Sequence, residues 1–312
     1  MNLSFDDDQL AFRDAVRELL AKECPPTAVR QPTSAAWTAL AEMGALGVLA
    51  PEADGGMGLD ERWLVLVLEE AGYAALPQPI VETAAVAAPI VGALSTPHAM
   101  IATDLGGPIV PWADSADELL LSDPDRGLVL VPRAGVELEP VHTVDAPRQA
   151  SRIMAVRDEG RVLDADAELA FERGAWGTAA YLVGLGQRML DMTVDYVKER
   201  EQFGVPIGSF QAIKHHLANA AGQLAFARPL VYQAAWALAV DDPDRSRHVS
   251  SAKAFASDAA EFVGGRALQC HGGIGYTTEA DLHLFLTRTW ALARSWGGAP
   301  WHRDRIGHAL GV

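Results

Sequence analysis

The chain has 312 residues, of which 49% are hydrophobic, and a formal net charge of −16. This length and composition suffice for about two domains with a large core, whereas 41 acidic residues against 25 basic ones disfavour nucleic acid or an anionic membrane as a partner. No apolar run approaches the ~18 residues that span a bilayer, and the N-terminus is acidic where a signal peptide is basic, so we expect a cytoplasmic protein.

The first 95 residues predict an all-helical N-terminal domain. Apolar positions recur at helical spacing from about Phe5 to Glu23, with Ser4 as the cap and the Pro25–Pro26 pair as the stop. Further helices are predicted at about 34–46, 61–73 and 79–94.

Three glycines, Gly55, Gly56 and Gly58, interrupt this helical domain in the stretch PEADGGMGLD. Glycine is favoured where the backbone needs left-handed angles or where another group approaches closely. The sequence leaves both explanations open.

The composition changes between residues 96 and 168, which are rich in valine, proline, glycine and aspartate. Short apolar runs such as LLLSD, GLVLVP and RIMAVRD are separated by turn residues. This pattern predicts a small middle β domain of about six short strands.

Helical periodicity returns at residue 169 and continues to the C-terminus. Helices are predicted at about 171–200, 209–240, 245–271, 279–295 and 301–310. The predicted fold class is therefore mainly α with a small β unit. It comprises an N-terminal helical domain at 1–95, an abbreviated middle β domain at 96–168 and a C-terminal four-helix bundle at 169–312.

One break between two of these helices stands out, in the stretch YVKEREQFGVPIGSFQAIKHH from Tyr196 to His216. Gly204, Pro206 and Gly208 cannot continue a helix cheaply, so the chain must reverse there. The flanking helices are therefore expected to run antiparallel, with charged and aromatic side chains at the reversal.

Two long motifs carry a resemblance to a known family: RxQFGxPIxxFQ from Arg200 to Gln211, and QxHGGxGYxxE from Gln269 to Glu279. Together with the order of helices, β unit and bundle, they resemble the acyl-CoA dehydrogenase family over essentially the whole chain. The resemblance implies a flavoenzyme. In such an enzyme a carboxylate removes a proton next to a thioester carbonyl while a hydride leaves the neighbouring carbon for FAD.

The resemblance also implies which residues face the FAD of a neighbouring subunit. They are Arg200, Gln202, Phe203, Gln211, Gln269, Gly272 and Gly273. Arg200 would offer a bidentate fork to the pyrophosphate, and the glycines would let the backbone approach the adenosine. The alternatives are a helix-end core position, which we favour for Phe210, and a helix cap and turn for the glycines.

The chain departs from the family where the catalytic glutamate is expected. In the matching stretch Trp296–Ala299 that position is Gly297, and the position that some members use instead falls on Gly174. No glutamate follows Glu279, so a C-terminal base is absent in any alignment. Glu172 is a weak candidate for the base, because it matches an acidic residue that the family uses near the nucleotide end of the substrate.

The middle domain is also shorter than the resemblance implies. The segment that hydrogen-bonds the flavin ring and covers the thioester has no counterpart, and Thr103 and Ser115 are poor substitutes for it. The chain thus retains the surface offered to a partner's FAD while losing the parts that hold its own flavin ring.

Other candidates for chemistry are weaker. His215 and His216 are adjacent on a helix and point to different faces, so they cannot form an i, i+4 metal pair. Cys24 and Cys270 are far apart and lack a CxxC pattern, so no metal site is predicted. We expect His271 to pack or cap rather than to catalyse.

We therefore predict the non-base-bearing subunit of a heteromeric, α2β2 acyl-CoA dehydrogenase, with FAD at the interface of unlike subunits and the glutamate on the partner. The substrate would be a fatty, branched or steroid-derived acyl-CoA, and the electron acceptor an electron-transfer flavoprotein or a similar protein. Two alternatives stay open. One is a homo-oligomeric flavoenzyme with Glu172 as a non-standard base, and the other is a flavin-free structural or interaction protein on the same fold.

Overall fold

A computed structural model describes residues 3–92 and 96–312 and shows a mainly helical protein with a small β unit, as predicted. Along the sequence, the six strands of the β unit lie between the N-terminal helices and the C-terminal helices. Within the described residues, no helix combines the length and the apolar character needed to cross a membrane.

The N-terminal helices are α1 (Asp7–Glu23), α2 (Pro26–Arg30), α3 (Ala35–Glu42) and α4 (Glu61–Tyr73). The first helix is capped by Asp6 rather than by Ser4. The Asp6 carboxylate accepts a hydrogen bond from the backbone of Gln9 at 2.8 Å, and the Gln9 side chain accepts one from the Asp6 backbone at 3.0 Å. This reciprocal capping box satisfies two N–H groups that the helix leaves unpaired.

The predicted helix at 79–94 is only partly α-helical. Its first part, Val81–Ala87, is π-helical, and α5 follows at Ala88–Val91; Leu94 lies outside the described residues. The π-helical segment is wholly buried, and its Thr83 hydroxyl accepts a hydrogen bond from the backbone of Ile101 at 3.0 Å. Helical periodicity alone does not distinguish this wider winding from an α-helix.

Six short strands follow, in the number and the region that the composition predicted. A four-stranded sheet has the order β1-β2-β3-β6, and β4 and β5 form a separate two-stranded sheet. The strands are β1 (Ile101–Thr103), β2 (Glu118–Asp123), β3 (Gly127–Pro132), β4 (Val136–Pro140), β5 (Ser151–Val156) and β6 (Arg161–Leu163). The β1-β2 pair is parallel and the other pairs are antiparallel.

The C-terminal bundle consists of α6 (Ala167–Glu199), α7 (Gln211–Ala239), α8 (Arg245–His271), α9 (Leu282–Leu292) and α10 (Ala299–Leu310). The predicted bounds hold to within a few residues. The sixth helix begins earlier than expected because the Asp166 side chain caps it, accepting from the backbone of Glu168 at 2.9 Å.

The glycine-rich loop is explained by its own backbone. Gly55 and Gly58 have φ angles of 82° and 61°, in the left-handed region that favours glycine. A Cβ on Gly56 would lie 2.2 Å from the carbonyl oxygen of Ala50. The loop therefore needs glycine both for its turns and for close packing against the preceding residues.

A buried ion pair joins the bundle to the middle β unit. Arg288 of α9 donates to the carboxylate of Asp145, and both side chains are almost fully shielded from solvent. The same guanidinium donates to the carbonyl of Leu76 at 3.0 Å and contacts the Tyr181 hydroxyl at 2.9 Å. One side chain thus satisfies groups from three parts of the chain.

Replacing Arg288 with methionine should destabilise the protein by roughly 3–5 kcal/mol, because Asp145 would remain charged and buried with only Arg148, at 3.8 Å, nearby. Arg294→Met is the matched control, since it removes an exposed ion pair with Glu261 and should cost less than about 1 kcal/mol. Urea unfolding of the two variants measures the difference. Equal losses of unfolding free energy in the two variants would contradict the role of Arg288 in joining the bundle to the middle β unit.

Candidate functional site

The reversal between α6 and α7 is a β-hairpin, which the sequence pattern did not predict. Strand β7 (Glu201–Gln202) pairs with β8 (Val205–Pro206). The two residues between them, Phe203 and Gly204, have φ angles of 55° and 78°. Positive φ at both central residues is typical of a type I′ turn, and Gly204 was the available sequence signal for it.

Packing among the described residues does not explain why a phenylalanine, Phe203, occupies this turn. A bulky residue at positive φ is strained, and the Phe203 side chain is 92% exposed. Its ring meets the edge of Phe210, at a centroid distance of 6.2 Å. Phe210 is itself 38% exposed, so our interpretation of it as a core residue was wrong. The two rings form an aromatic pair on the surface.

Polar residues of the same motif surround this aromatic pair. Arg200 caps the C-terminus of α6, is exposed, and has no ion pair within the described part of the chain although Glu199 and Glu201 adjoin it in sequence. Gln202 is exposed and donates to the carbonyl of Glu201 at 2.7 Å. Gln211 begins α7, whose first turn receives no side-chain cap. An unpaired guanidinium beside an uncapped helix start favours an anionic group.

The second motif lies at the C-terminal end of α8. Gln269, Gly272 and Gly273 are all exposed there. Gly272 has a φ of 61° and ends the helix, so the cap alternative holds for it. A Cβ on Gly273 would meet nothing within 4 Å, and its backbone does not need a positive φ. Internal packing therefore does not explain Gly273.

A stacked pair of rings brings the two motifs to the same end of the bundle. Tyr196, one turn before Arg200, stacks on His271 with a centroid distance of 4.4 Å and an interplanar angle of 15°. The Nδ1 atom of His271 is 2.8 Å from the carbonyl of Ala267, and burial lowers the pKa of this imidazole. His271 therefore packs and caps, as expected, and it places Gln269 and Gly273 on the same surface as Arg200.

The two expected positions of the catalytic glutamate are both filled by tryptophan rings. A Cβ on Gly174 would lie 2.3 Å from the Trp296 ring. A Cβ on Gly297, whose φ is 83°, would lie 2.6 Å from the ring of Trp301. Neither position has space for any side chain, so these glycines are required by packing.

Trp296 is fixed in place by its backbone as well as by its ring. Its N–H donates to the carbonyl of Gly106 at 3.0 Å, and its carbonyl lies 2.8 Å from Nε2 of His302. Its φ of 57° is rare for a bulky side chain and requires support from the surroundings. The ring of Phe171 packs beside it at 5.9 Å.

A buried lysine, which sequence reasoning missed, supports the same turn. The Lys253 ammonium donates to the carbonyls of Gly297 at 3.1 Å and Ala293 at 3.2 Å, and to the hydroxyl of Ser257 at 3.1 Å. Burial lowers the pKa of Lys253 to about 7. The sequence signal was a lysine within an alanine-rich helical stretch, in a chain with few lysines.

Glu172, the weak candidate for the base, is fully buried in an ion cluster. Its carboxylate accepts from Nε of Arg245 at 2.9 Å and from the hydroxyl of Ser246, and Arg305 lies 3.4 Å away. Both oxygens are therefore engaged by donors, two of them cationic. Such contacts are those of a structural ion pair and leave no oxygen free to receive a substrate proton.

The hydroxyls in the shortened middle domain serve local turns. Thr103 accepts from the backbone of Leu105 at 3.2 Å, and Ser115 donates to the carbonyl of Trp112 at 3.2 Å.

Three side chains at the α7-α8 turn, Asp242, Asp244 and His248, place potential ligand atoms within 4.8 Å of one another. Asp244 is already paired with Arg247 at 2.6 Å, which accounts for this cluster without a metal.

Family comparisons agree with the two sequence motifs. The family model described as the acyl-CoA dehydrogenase N-terminal domain matches residues 6–97, and the C-terminal domain model matches residues 165–310. The chain is 31% identical over 304 residues to acyl-CoA dehydrogenase IpdE2 of Mycobacterium tuberculosis, covering 90% of this chain and 91% of that protein.

Two solved structures share the whole fold. The structure of the Tcur3481-Tcur3483 steroid ACAD G363A variant aligns with a TM-score of 0.85 at 25% identity, covering 98% of both chains. A chain of the ChsE4-ChsE5 complex from Mycobacterium tuberculosis aligns with a TM-score of 0.87 at 23% identity, covering 100% of this chain and 99% of that one. At 23% identity, the comparison with the ChsE4-ChsE5 chain shows a similarity of fold.

Gly174→Ala should destabilise the protein by about 1–3 kcal/mol, because the added methyl overlaps the Trp296 ring. Gly265→Ala is the matched control: that glycine also lies inside a helix, but its Cβ would meet open space, so the change should be neutral or stabilising. In a Trp296→Ala background the cost of Gly174→Ala should largely disappear. Chemical denaturation of the wild-type protein, the two single variants and the double variant tests the contact between Gly174 and Trp296. Losses of unfolding free energy that simply add in the double variant would count against this contact.

His302 should make the protein less stable as the pH falls from about 6.5 towards 4. Burial lowers the pKa of this imidazole to about 4, so the native state keeps it neutral while the unfolded chain takes up a proton near its ordinary value of 6.5. The loss approaches roughly 3 kcal/mol near pH 4.

The measurement is the unfolding free energy as a function of pH. His302→Gln can still donate to Trp296 and should flatten this part of the curve, whereas the exposed control His308→Gln should leave it intact. An unchanged slope in His302→Gln would refute the role of His302.

Proposed function

The chain belongs to the acyl-CoA dehydrogenase family of oxidoreductases, and we propose that within it this chain is a subunit without a catalytic base, which supplies one wall of an FAD site to a partner subunit. The observation that carries the proposal is that one region of the chain is filled by its own side chains whereas another is open to solvent. Tryptophan rings fill both glutamate positions, while the motif residues at the end of the bundle are exposed to solvent.

The exposed residues fit FAD chemically. A guanidinium without an ion pair suits a pyrophosphate, and the uncapped start of α7 offers backbone N–H groups to the same anion. The strained, exposed Phe203 provides a flat apolar surface, and the open space at Gly273 lets another group approach the backbone. We define this surface as the flavin wall: Arg200, Gln202, Phe203, Gln211, Gln269, Gly272 and Gly273.

The region that would hold this chain's own flavin ring and base does not fit them. Trp296 packs on Gly174 and is hydrogen-bonded to Gly106 and His302, so neither a carboxylate nor a flat ring has room there. Glu172, the acidic candidate that the sequence offered, is held by Arg245, Ser246 and Arg305. A base and a substrate pocket must therefore come from another subunit.

FAD supplies the hydride acceptor of the reaction when it is bound. The residues of this chain would bind and orient it. Arg200 offsets the charge of the diphosphate, Phe203 shields one part of the cofactor from water, and Gln269 and Gly273 limit where the adenosine end can lie. Proton abstraction from the carbon next to the thioester is assigned to a carboxylate of the partner.

The proposed assembly is an α2β2 heterotetramer that oxidises an acyl-CoA thioester and passes electrons to an electron-transfer flavoprotein or a similar acceptor. Two structures with the same fold come from pairs of differently named chains, Tcur3481-Tcur3483 and ChsE4-ChsE5, which supports an unlike partner. The first is described as a steroid ACAD, so steroid-derived acyl-CoA thioesters are the first substrates to test.

The deciding experiment compares the purified chain alone with the chain co-expressed with a family member that carries a glutamate at its base position. We expect little FAD on the lone chain and no acyl-CoA oxidation, but flavin absorbance and turnover from the complex. Stoichiometric FAD together with turnover by the lone chain would overturn the proposal. A co-purified complex without flavin would favour the structural alternative.

Arg200→Ala should lower FAD retention by the complex roughly 10- to 100-fold, because a charge-assisted hydrogen bond to the diphosphate is lost. The thermal unfolding midpoint of the chain should not change, since the Arg200 side chain is exposed and has no ion pair within the described residues. Arg157→Ala, an exposed arginine of the β unit, is the control and should leave the FAD content unchanged. Unaltered flavin content in Arg200→Ala would remove Arg200 from the wall.

A further inference from the structure

A cavity of about 250 Å³ lies where the N-terminal helical domain meets the middle β unit. Its walls come from α3 and the loop before it, from the chain after α4, and from the loops that precede β1, β2 and β5. None of the residues that line it belongs to the flavin wall. Small-molecule sites are common at the junction of two structural units, so this cavity is a second, separate candidate for a ligand.

The cavity has a buried, largely apolar floor and an exposed rim. Trp37, Pro77 and Trp112 line it and are buried, whereas Ser34 lines it and is exposed. Nε1 of Trp37 donates to the carbonyl of His98 at 2.8 Å, and Nε1 of Trp112 donates to the carbonyl of Pro77 at 3.0 Å. The two indoles therefore line the cavity without a free N–H group.

One polar side chain of the floor lacks a partner. Gln78 lines the cavity and is only 6% exposed, and its Nε2 donates to the carbonyl of Thr33 at 2.7 Å. This contact fixes which end of the amide is the oxygen. Oε1 of Gln78 accepts no hydrogen bond from any described residue. Because a buried amide oxygen without a donor is costly, the floor requires a donor from outside the chain.

A water molecule is a poor substitute for such a donor. A buried water usually makes about three hydrogen bonds to polar groups. At this floor both indole N–H groups are already engaged, and proline has no N–H to offer. A larger molecule that covers the indoles while it donates to Gln78 uses the whole surface.

Two residues that line the cavity have a strained backbone. Trp112 has a φ of 56° and Gln149 a φ of 39°, in a region that is rare for residues other than glycine. The backbone N–H of Trp112 donates to the carbonyl of Arg148 at 2.8 Å, which ties the two loops together. Strain of this kind is concentrated at sites that clamp a ligand.

We propose that this cavity binds a neutral compound of two fused aromatic rings, which lies against the indoles and donates one hydrogen bond to Oε1 of Gln78. The size follows from the volume. A cavity of roughly 150 Å³ holds one benzene ring, so the larger space here admits a second fused ring. Aromatic pairs that stack or meet edge to face give the indoles a preference for such rings.

The charges around the cavity favour a neutral ligand. The guanidinium groups of Arg148 and Arg288 lie 4.8 and 5.9 Å from the centroid of the Trp112 ring, so a cation on this indole would be repelled. An anion would meet the unpaired oxygen of Gln78 at the floor. The strongest rival is nevertheless a carboxylate, because Nε and Nη2 of the buried Arg148 have no hydrogen-bond partner among the described residues.

The test is isothermal titration calorimetry of the full chain with three probes. Indole has two fused rings and one N–H donor, 1-methylindole keeps the rings without the donor, and indole-5-carboxylate adds a negative charge. We expect indole to bind about tenfold more tightly than 1-methylindole, since only indole can pair with Gln78. The carboxylate should bind more weakly than indole. The experiment needs neither FAD nor a partner subunit, so its failure would leave the proposed function untouched.

Two variants connect the binding to the cavity. Gln78→Met removes the acceptor at similar size and should make the affinities for indole and 1-methylindole nearly equal. Gln223→Met, at an exposed glutamine of α7, is the matched control and should preserve the tenfold difference. Ser34→Trp fills the cavity from its rim and should weaken both probes at least about tenfold. Because Ser34 is exposed and makes no capping hydrogen bond, this variant remains informative where Gln78→Met does not fold.

Four results would overturn the proposal. They are the absence of binding by both neutral probes, equal affinities of the wild-type chain for indole and 1-methylindole, binding of indole that Ser34→Trp leaves unchanged, and tighter binding of indole-5-carboxylate than of indole. The last result would assign the cavity to an anion recruited by Arg148.

Discussion

The contact between Trp296 and Gly174 is the constraint on which the rest of the C-terminal region depends. The indole occupies the space that a Cβ on α6 would need, so the bundle closes tightly where the resemblance places a catalytic carboxylate. The backbone of the same tryptophan is bound to Gly106 of the middle unit and to His302 of α10. Ring packing and hydrogen bonding therefore fix one turn between three elements.

The polar groups around this turn are consistent with a closed, dry interior. Burial lowers the pKa values of Lys253 and His302, and both side chains donate to carbonyls of the turn. Glu172 is paired with two arginines instead. Groups that in an open pocket could exchange protons with a substrate here satisfy the backbone and one another, since an unpaired charge in such a place would be costly.

The exposed end of the bundle has the opposite character. Arg200 is unpaired, Phe203 is strained and exposed, and Gly273 faces open space. Strain and exposure of this kind persist when a residue serves something outside the chain. The molecule thus combines a closed interior with an open surface at the flavin wall, and its chemistry would depend on what covers that surface.

Local pattern in the sequence determined the course of the chain: the helices, the six short strands, the reversal after α6, the absence of a C-terminal glutamate and the two family motifs. These features depend on neighbouring residues, on periodicity or on composition, so a single sequence carries them. The hairpin at Phe203, the exposure of Phe210, the π-helical winding at Val81–Ala87 and the buried Lys253 were not predicted. Gly174 and Gly297 could be recognised as lacking a carboxylate, but only the tertiary structure showed that Trp296 and Trp301 fill their places. Gly174 and Trp296 are 122 positions apart (296 − 174), and no local period records such a contact.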